Sequence, residues 1–236
     1  MSAPSRLAEP RLFRQQCLVA GNWIDASNGA TIEVDNPASG EIIGSVPSLS
    51  EAQLNDCIAQ ADQAFASWRK TTALERADLL MRWYDLMLKH REDIASLMTL
   101  EQGKPLAEAG AEVDDTIRYM TYAAEAARRI QGEILPSDLP NEQLFIYRVP
   151  YGTTLGICAY NYPLALIGRK LGPALVTGNV MVIKPHEATP VTGSEFCRLV
   201  RDAGLPAGVV GLVTGGGVGG DELEHDRGSR VQTGER

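Results

Sequence analysis

The sequence predicts an α/β fold: a Rossmann-like parallel sheet, preceded by a block of helices and joined to it through a protruding β-arm. Three observations carry this. Residues 153–214 alternate between short apolar runs and amphipathic runs, the βαβαβ signature of a parallel sheet with right-handed crossovers. The runs ICAY and VMVIK are nearly all apolar, as strands covered on both faces are. Residues 50–130 instead carry helix start and stop signals around a 3.6-residue apolar period.

Taken in order, residues 1–17 read as a disordered arm. Arg6, Arg11 and Arg14 with Pro4, Pro10 and Glu9 leave no apolar core for a secretory signal. Residues 18–131 open the domain, strands first. LVAGNWID, ATIEVDNP and EIIGSVP are separated by Asn-Gly and Ser-Gly turn signals. Ser50 with Gln53, and Thr72 with Glu75, each have the spacing of a capping box. Leu54, Ile58, Ala61 and Phe65 make the apolar face of the first helix. Leu79, Trp83 and Leu86 make that of the second, flanked by Leu80, Tyr84 and Met87. A helix through Ile94–Leu100 stops at Gly103-Lys104-Pro105. The next spans about residues 107–130, with Glu108, Glu112 and Asp114 early and Arg128 and Arg129 late, an order that suits the helix dipole.

Residues 132–152 read as an arm. Gly132 to Asn141 is a turn-rich connection, and Gln143–Val149 and Thr153–Tyr160 read as two strands. Residues 153–214 form the core: a strand to Tyr160, a helix 163–176 with Pro163 in its first turn, and a strand 180–184. A helix 190–203 follows, with Thr189 as N-cap, Pro190 at its first position and Gly204 past its end, and then a strand 208–214. Residues 215–236 make an atypical tail.

Composition narrows the function. A net charge of −8 argues against a nucleic-acid partner. No apolar run reaches the roughly 18 residues of a membrane span. Cys17, Cys57, Cys158 and Cys197 are scattered without metal spacing, as reduced core cysteines of a cytoplasmic protein are.

Candidate chemistry sits where ligands bind open α/β sheets, at the carboxyl ends of the strands. Asn161 ends one strand. Its amide can donate to an oxyanion forming on a carbonyl carbon, or serve its own turn. Lys184 ends the next strand, with Glu187 three residues on. The lysine can bridge to ribose hydroxyls or phosphate. The glutamate can accept from a ribose 2′-OH and would repel a 2′-phosphate, favouring NAD over NADP. The alternative is a solvated loop ion pair of little consequence. His186 reads as a bystander. Gly215–Gly220 formally matches a dinucleotide fingerprint, but five glycines in six positions match almost automatically. The run, Gly217 included, fits a loop beside a cofactor.

The motifs C-A-Y-N-Y-P and R-K-L-G-P-A-L-x-x-G-N-x-x-V-I-K-P-H-E-A-T-P resemble the NAD(P)-dependent aldehyde dehydrogenase superfamily. G-N-W-I, N-P-A-S-G-E, E-R-A, E-Q-G-K-P and G-E-I-L-P-S-D resemble its N-terminal landmarks in the same order, and the likeness covers about residues 18–215. It is nearest the lactaldehyde, semialdehyde and betaine-aldehyde group. The resemblance implies a small-molecule aldehyde substrate and oxidation to the acid through a cysteine thioester. It makes Asn161 the oxyanion donor, Lys184 and Glu187 the adenosine-ribose residues, and Cys158, Ala159 and Tyr160 the nicotinamide wall. It also makes the strand pair at 143–160 an oligomerisation arm, so a homo-oligomer is expected.

The sequence departs from the family in three ways. Ala159-Tyr160 stands where most members have Pro-Trp. The G-Q-x-C motif of the nucleophile and the E-L-G-G motif of the general base do not occur, and Cys158 occupies a normally aliphatic core position. The tail lacks the apolar strand expected before a T-G-S turn, and a truncation, frameshift or gene-model error is the expected cause. The family reading is therefore a truncated aldehyde dehydrogenase fold, inactive alone. The alternatives are a non-catalytic NAD-binding or oligomerisation module, and a chain that does not fold stably by itself.

Overall fold

The computed structural model describes residues 7–9 and 13–216. Its centre is a five-stranded mixed sheet in the order β2-β1-β9-β8-β7. β7 (Thr153–Ile157), β8 (Val180–Lys184) and β9 (Val210–Leu212) are parallel, in register at Leu155↔Val182 and Ile183↔Leu212. β1 (Cys17–Val19) pairs antiparallel with β9 and with β2 (Asn22–Ile24). The N-terminal hairpin thus completes the sheet rather than lying apart from it. β3 (Thr31–Asp35) and β4 (Ile42–Pro47) form a separate hairpin. Its Val34 and Val46 make a small second core with Leu97 and Val191.

α1 (Glu51–Trp68) packs on all three parallel strands. α5 (Ala165–Val176) and α6 (Pro190–Asp202) pack on the opposite face, where they meet an outer helical layer. That layer is α2 (Ala73–Lys89), α3 (Arg91–Gln102) and α4 (Leu106–Ala126). β8 is buried along its whole length, as its unbroken apolar run requires. On α2 the fully buried face is Leu80, Trp83 and Met87, one position round from the expected Leu79 and Leu86, which are half-buried. Trp83, common to both faces, packs against Phe196 of α6 at a centroid distance of 4.3 Å.

Two glycines allow close approaches that the architecture needs. A Cβ on Gly168 of α5 would lie 2.5 Å from Thr116 Cγ2 of α4, so these two helices meet nearly backbone to backbone. A Cβ on Gly132 would lie 2.1 Å from the Ile146 carbonyl oxygen, at the base of the arm.

The arm holds a strand where the sequence reads turns. β6 (Gln143–Ile146) pairs with β5 (Glu133–Pro136), which lies inside the stretch read as turns, and not with residues 153–160. β7 pairs with β8 instead and ends at Ile157, leaving Cys158–Asn161 to form the turn. Alternation along a strand shows which side chains share a face but says nothing about its partner. Every residue of β5 and β6 is exposed, and Ile134, Phe145, Tyr147 and Val149 present apolar surface to solvent.

Candidate functional site

The carboxyl ends of β7 and β8 lie side by side. Ile157 is in register with Lys184, and the Cys158 N–H donates to the Lys184 carbonyl at 3.0 Å, one step past the strand. Beyond that, Tyr160 meets His186 edge-on, with centroids 5.3 Å apart. The turn that carries Asn161 and the loop that carries Glu187 are therefore neighbours.

Asn161 is exposed, and its side-chain amide makes no hydrogen bond among the described residues. The turn-serving reading thus has no geometric support, and the amide is available to a ligand. Lys184 is 5% exposed, yet its Nζ makes no hydrogen bond among the described residues. The nearest carboxylate oxygen, Glu187 Oε2, is 3.8 Å away. The gap is too long for a hydrogen bond and leaves both groups able to bind hydroxyls, with the lysine donating and the glutamate accepting. That donor set fits the vicinal diol of a ribose. Ala159 and Tyr160 are exposed beside it, whereas Cys158 is buried. His186 accepts the Ala188 N–H through Nδ1 at 3.1 Å, a local turn bond that fits its bystander role. Gly217 lies outside the described residues.

None of the four thiols is poised as a nucleophile. Burial pushes the pKa of Cys17 up to about 11 and that of Cys57 up to about 12. It also raises Cys197 and, against the pull of Lys170, Cys158. A thiol in such surroundings is protonated and inert near neutral pH.

The structure gives two glutamates a capping role that the sequence did not assign. The Thr189 hydroxyl, expected to cap α6, is buried without a partner among the described residues. Glu101 of α3 caps the helix instead. It accepts the Val191 N–H through one carboxylate oxygen, and through the other the Thr192 N–H at 2.9 Å and the Thr192 hydroxyl at 2.6 Å. Desolvation pushes its pKa up to about 7 against these three bonds. Glu112 of α4 does the same for α5, accepting the Leu164 and Ala165 N–H groups at 2.9 and 3.0 Å through Oε1. Its Oε2 pairs with Lys104. A signal was present: both glutamates fall on the apolar stripe of their helix, Glu101 with Ile94, Leu97 and Met98, and Glu112 with Ala109, Val113 and Thr116. An acid in a core stripe needs a partner.

Comparison with known proteins decides the family. The aldehyde dehydrogenase family model matches residues 23–232. The chain belongs to the aldehyde dehydrogenase family. This aldehyde dehydrogenase chain is 46% identical over 218 residues to a glutarate-semialdehyde dehydrogenase of Pseudomonas aeruginosa, covering 92% of the chain and 45% of the relative. It is 44% identical to the succinate-semialdehyde dehydrogenase [NADP(+)] of Escherichia coli, with coverage of 92% and 45%. A crystal structure of an aldehyde dehydrogenase from Brucella melitensis biovar abortus superimposes with a TM-score of 0.91 at 42% identity, over 95% of this chain and 46% of that one. The chain spans about half the length of the relatives it matches. The match to residue 232 also runs into the stretch that the sequence set apart as a tail. Among the described residues no helix is long and apolar enough to cross a membrane.

Proposed function

We propose that this chain supplies the cofactor-binding and oxyanion-stabilising side of an NAD(P)-dependent aldehyde dehydrogenase acting on a small acidic semialdehyde. The observation that carries this is an Asn161 amide without a hydrogen bond among the described residues beside the loosely paired Lys184–Glu187 couple, at two adjoining strand ends. In the reaction a cysteine thiolate attacks the aldehyde carbon, and Asn161 donates to the oxygen as it gains negative charge. Removing one such donor costs about 10²–10³ in kcat. A bound nicotinamide would accept the hydride, and a base-activated water would release the acid. Lys184 and Glu187 would hold the cofactor's ribose, with Ala159 and Tyr160 beside the nicotinamide.

Glu187 favours NAD, because its carboxylate would face a 2′-phosphate. NADP remains within the family's range, since the Escherichia coli relative is named for it. The acidic substrate is supported by the relatives' names and by a groove between α4 and α5. There Arg169 lies over the Tyr119 ring at 5.1 Å, while the neighbouring Arg118 is already paired with Asp115. The G-Q-x-C and E-L-G-G motifs do not occur and the thiols are protonated, so the chain alone is inactive and depends on a nucleophile from elsewhere. The exposed apolar arm supports a homo-oligomer as the working form, in the cytoplasm.

Calorimetric titration of the purified chain with NAD⁺ and NADP⁺, with a parallel aldehyde assay, tests this. The expected result is NAD⁺ binding that Lys184→Met abolishes, tighter than NADP⁺ binding, without turnover. Glu187→Gln should narrow the preference. Failure to bind either cofactor overturns the cofactor assignment, and turnover by the chain overturns its dependence on an outside nucleophile.

A further inference from the structure

The Asn161 turn is held from below by two buried charges that play no part in the reaction as described. Lys104 follows Gly103, whose left-handed backbone (φ 84°) ends α3 and turns the chain sharply toward the sheet. A Cβ on Gly103 would lie 2.8 Å from Pro37, so the turn has no room for a larger residue. The Lys104 side chain is 9% exposed and that of Glu112 1%. The ammonium pairs with Glu112, donates to the Asn161 backbone carbonyl at 3.0 Å, and lies 4.4 Å from the centroid of the Tyr162 ring. Through its other oxygen Glu112 holds the first N–H groups of α5, three and four residues after Asn161.

We propose that Lys104 and Glu112 are positioning residues that fix the direction of the Asn161 amide. The lysine grips the turn at the carbonyl of residue 161 itself. The glutamate grips it at the start of the helix that follows. With both ends fixed, the side chain between them has one approach to a ligand. A pair serving packing alone would need neither the bond to Asn161 nor the two helix N–H bonds. Preorganised donors of this kind are effective because no reorientation is needed as charge develops. The inference rests on the reading of Asn161 as an oxyanion donor.

The test uses the full 236-residue chain, ¹⁵N-labelled. Asn161→Ala assigns the Asn161 side-chain NH₂ resonances, and β8 amides report whether each variant is folded. Lys104→Met should shift and broaden that NH₂ pair while Leu164 and Ala165 stay protected from hydrogen exchange. Lys104→Arg, which can make the same bonds, should restore the wild-type signal. Glu112→Gln should shift the same pair and speed exchange at Leu164 and Ala165 about tenfold, the factor for the loss of one modest hydrogen bond. An unshifted Asn161 pair in folded Lys104→Met overturns the proposal. Should that variant not fold, an unshifted pair in the isosteric Glu112→Gln does so. The functional reading fails by a separate route: a chain that binds neither cofactor would undo the cofactor site and leave the resonance result intact.

Discussion

α2 and α6 both begin at a carboxylate, yet the two solutions are physically opposite. At α2 the cap is local and wet: the Glu75 carboxylate accepts the Thr72 N–H at 2.7 Å and its hydroxyl at 2.8 Å, fully in solvent. Those bonds hold its pKa below the ordinary carboxylate range. At α6 the cap is remote and dry: Glu101 comes from another helix 90 residues away, is wholly buried, and has its pKa lifted to about 7. The same carboxylate-to-N–H bond thus shifts the proton equilibrium in either direction, and water decides which. The local form needs only a four-residue pattern. The remote form needs a finished fold and rigidly ties the two helices that start at the candidate site to the layer behind them.

The largest test of this contrast is Glu112→Ala. It leaves Lys104 buried without its counter-ion and strips the first two N–H groups of α5 of their acceptor. Breaking a buried pair in this way should cost about 3–5 kcal/mol in urea denaturation.

Next comes pH. Glu101 has a folded-state pKa of about 7 against an ordinary 4.5, so the folded chain holds a proton that the unfolded chain releases. Its contribution is complete below pH 4.5 and is lost as pH rises through 7, a change on the order of 3 kcal/mol. Glu101→Gln should flatten that part of the stability profile. Glu75 has the opposite sign: its contribution is present above the ordinary carboxylate pKa and is lost as pH falls through its lowered folded value.

Gly168→Ala probes how α4 comes close enough for Glu112 to reach α5. The added methyl group meets Thr116 Cγ2 and should cost about 1–3 kcal/mol, and Thr116→Ser, which removes that methyl, should recover part of it in a double-mutant cycle. The smallest effect belongs to the local cap: Thr72→Ala should cost about 1 kcal/mol, read from the same denaturation curves.

The same contrast marks what could be read in the sequence. Both capping boxes and the Gly103 stop were legible because their partners lie within a few residues. The β8 and β9 strands were legible because burial on both faces writes itself as an apolar run, whereas β7 is a half-buried edge strand and the ICAY run marks its end and the turn beyond it. Asn161, Lys184 and Glu187 followed from the strand ends, and the structure brings their loops together. The caps on α5 and α6 were not legible as bonds, since Glu112 precedes Leu164 by 52 residues and no local pattern links them. β5 was missed for a related reason. β5 is four residues ending in proline within a turn-rich stretch, and its pairing is fixed by the approach at Gly132 rather than by its own composition.

β1 pairs with β9, and the Cys17 thiol meets the Thr214 hydroxyl across 197 positions. β1 therefore has no neighbour on its inner side until β9, the last strand among the described residues, has left the exit tunnel. Closing a loop of that length is slow, and in the interval the hairpin must wait as an unfinished edge.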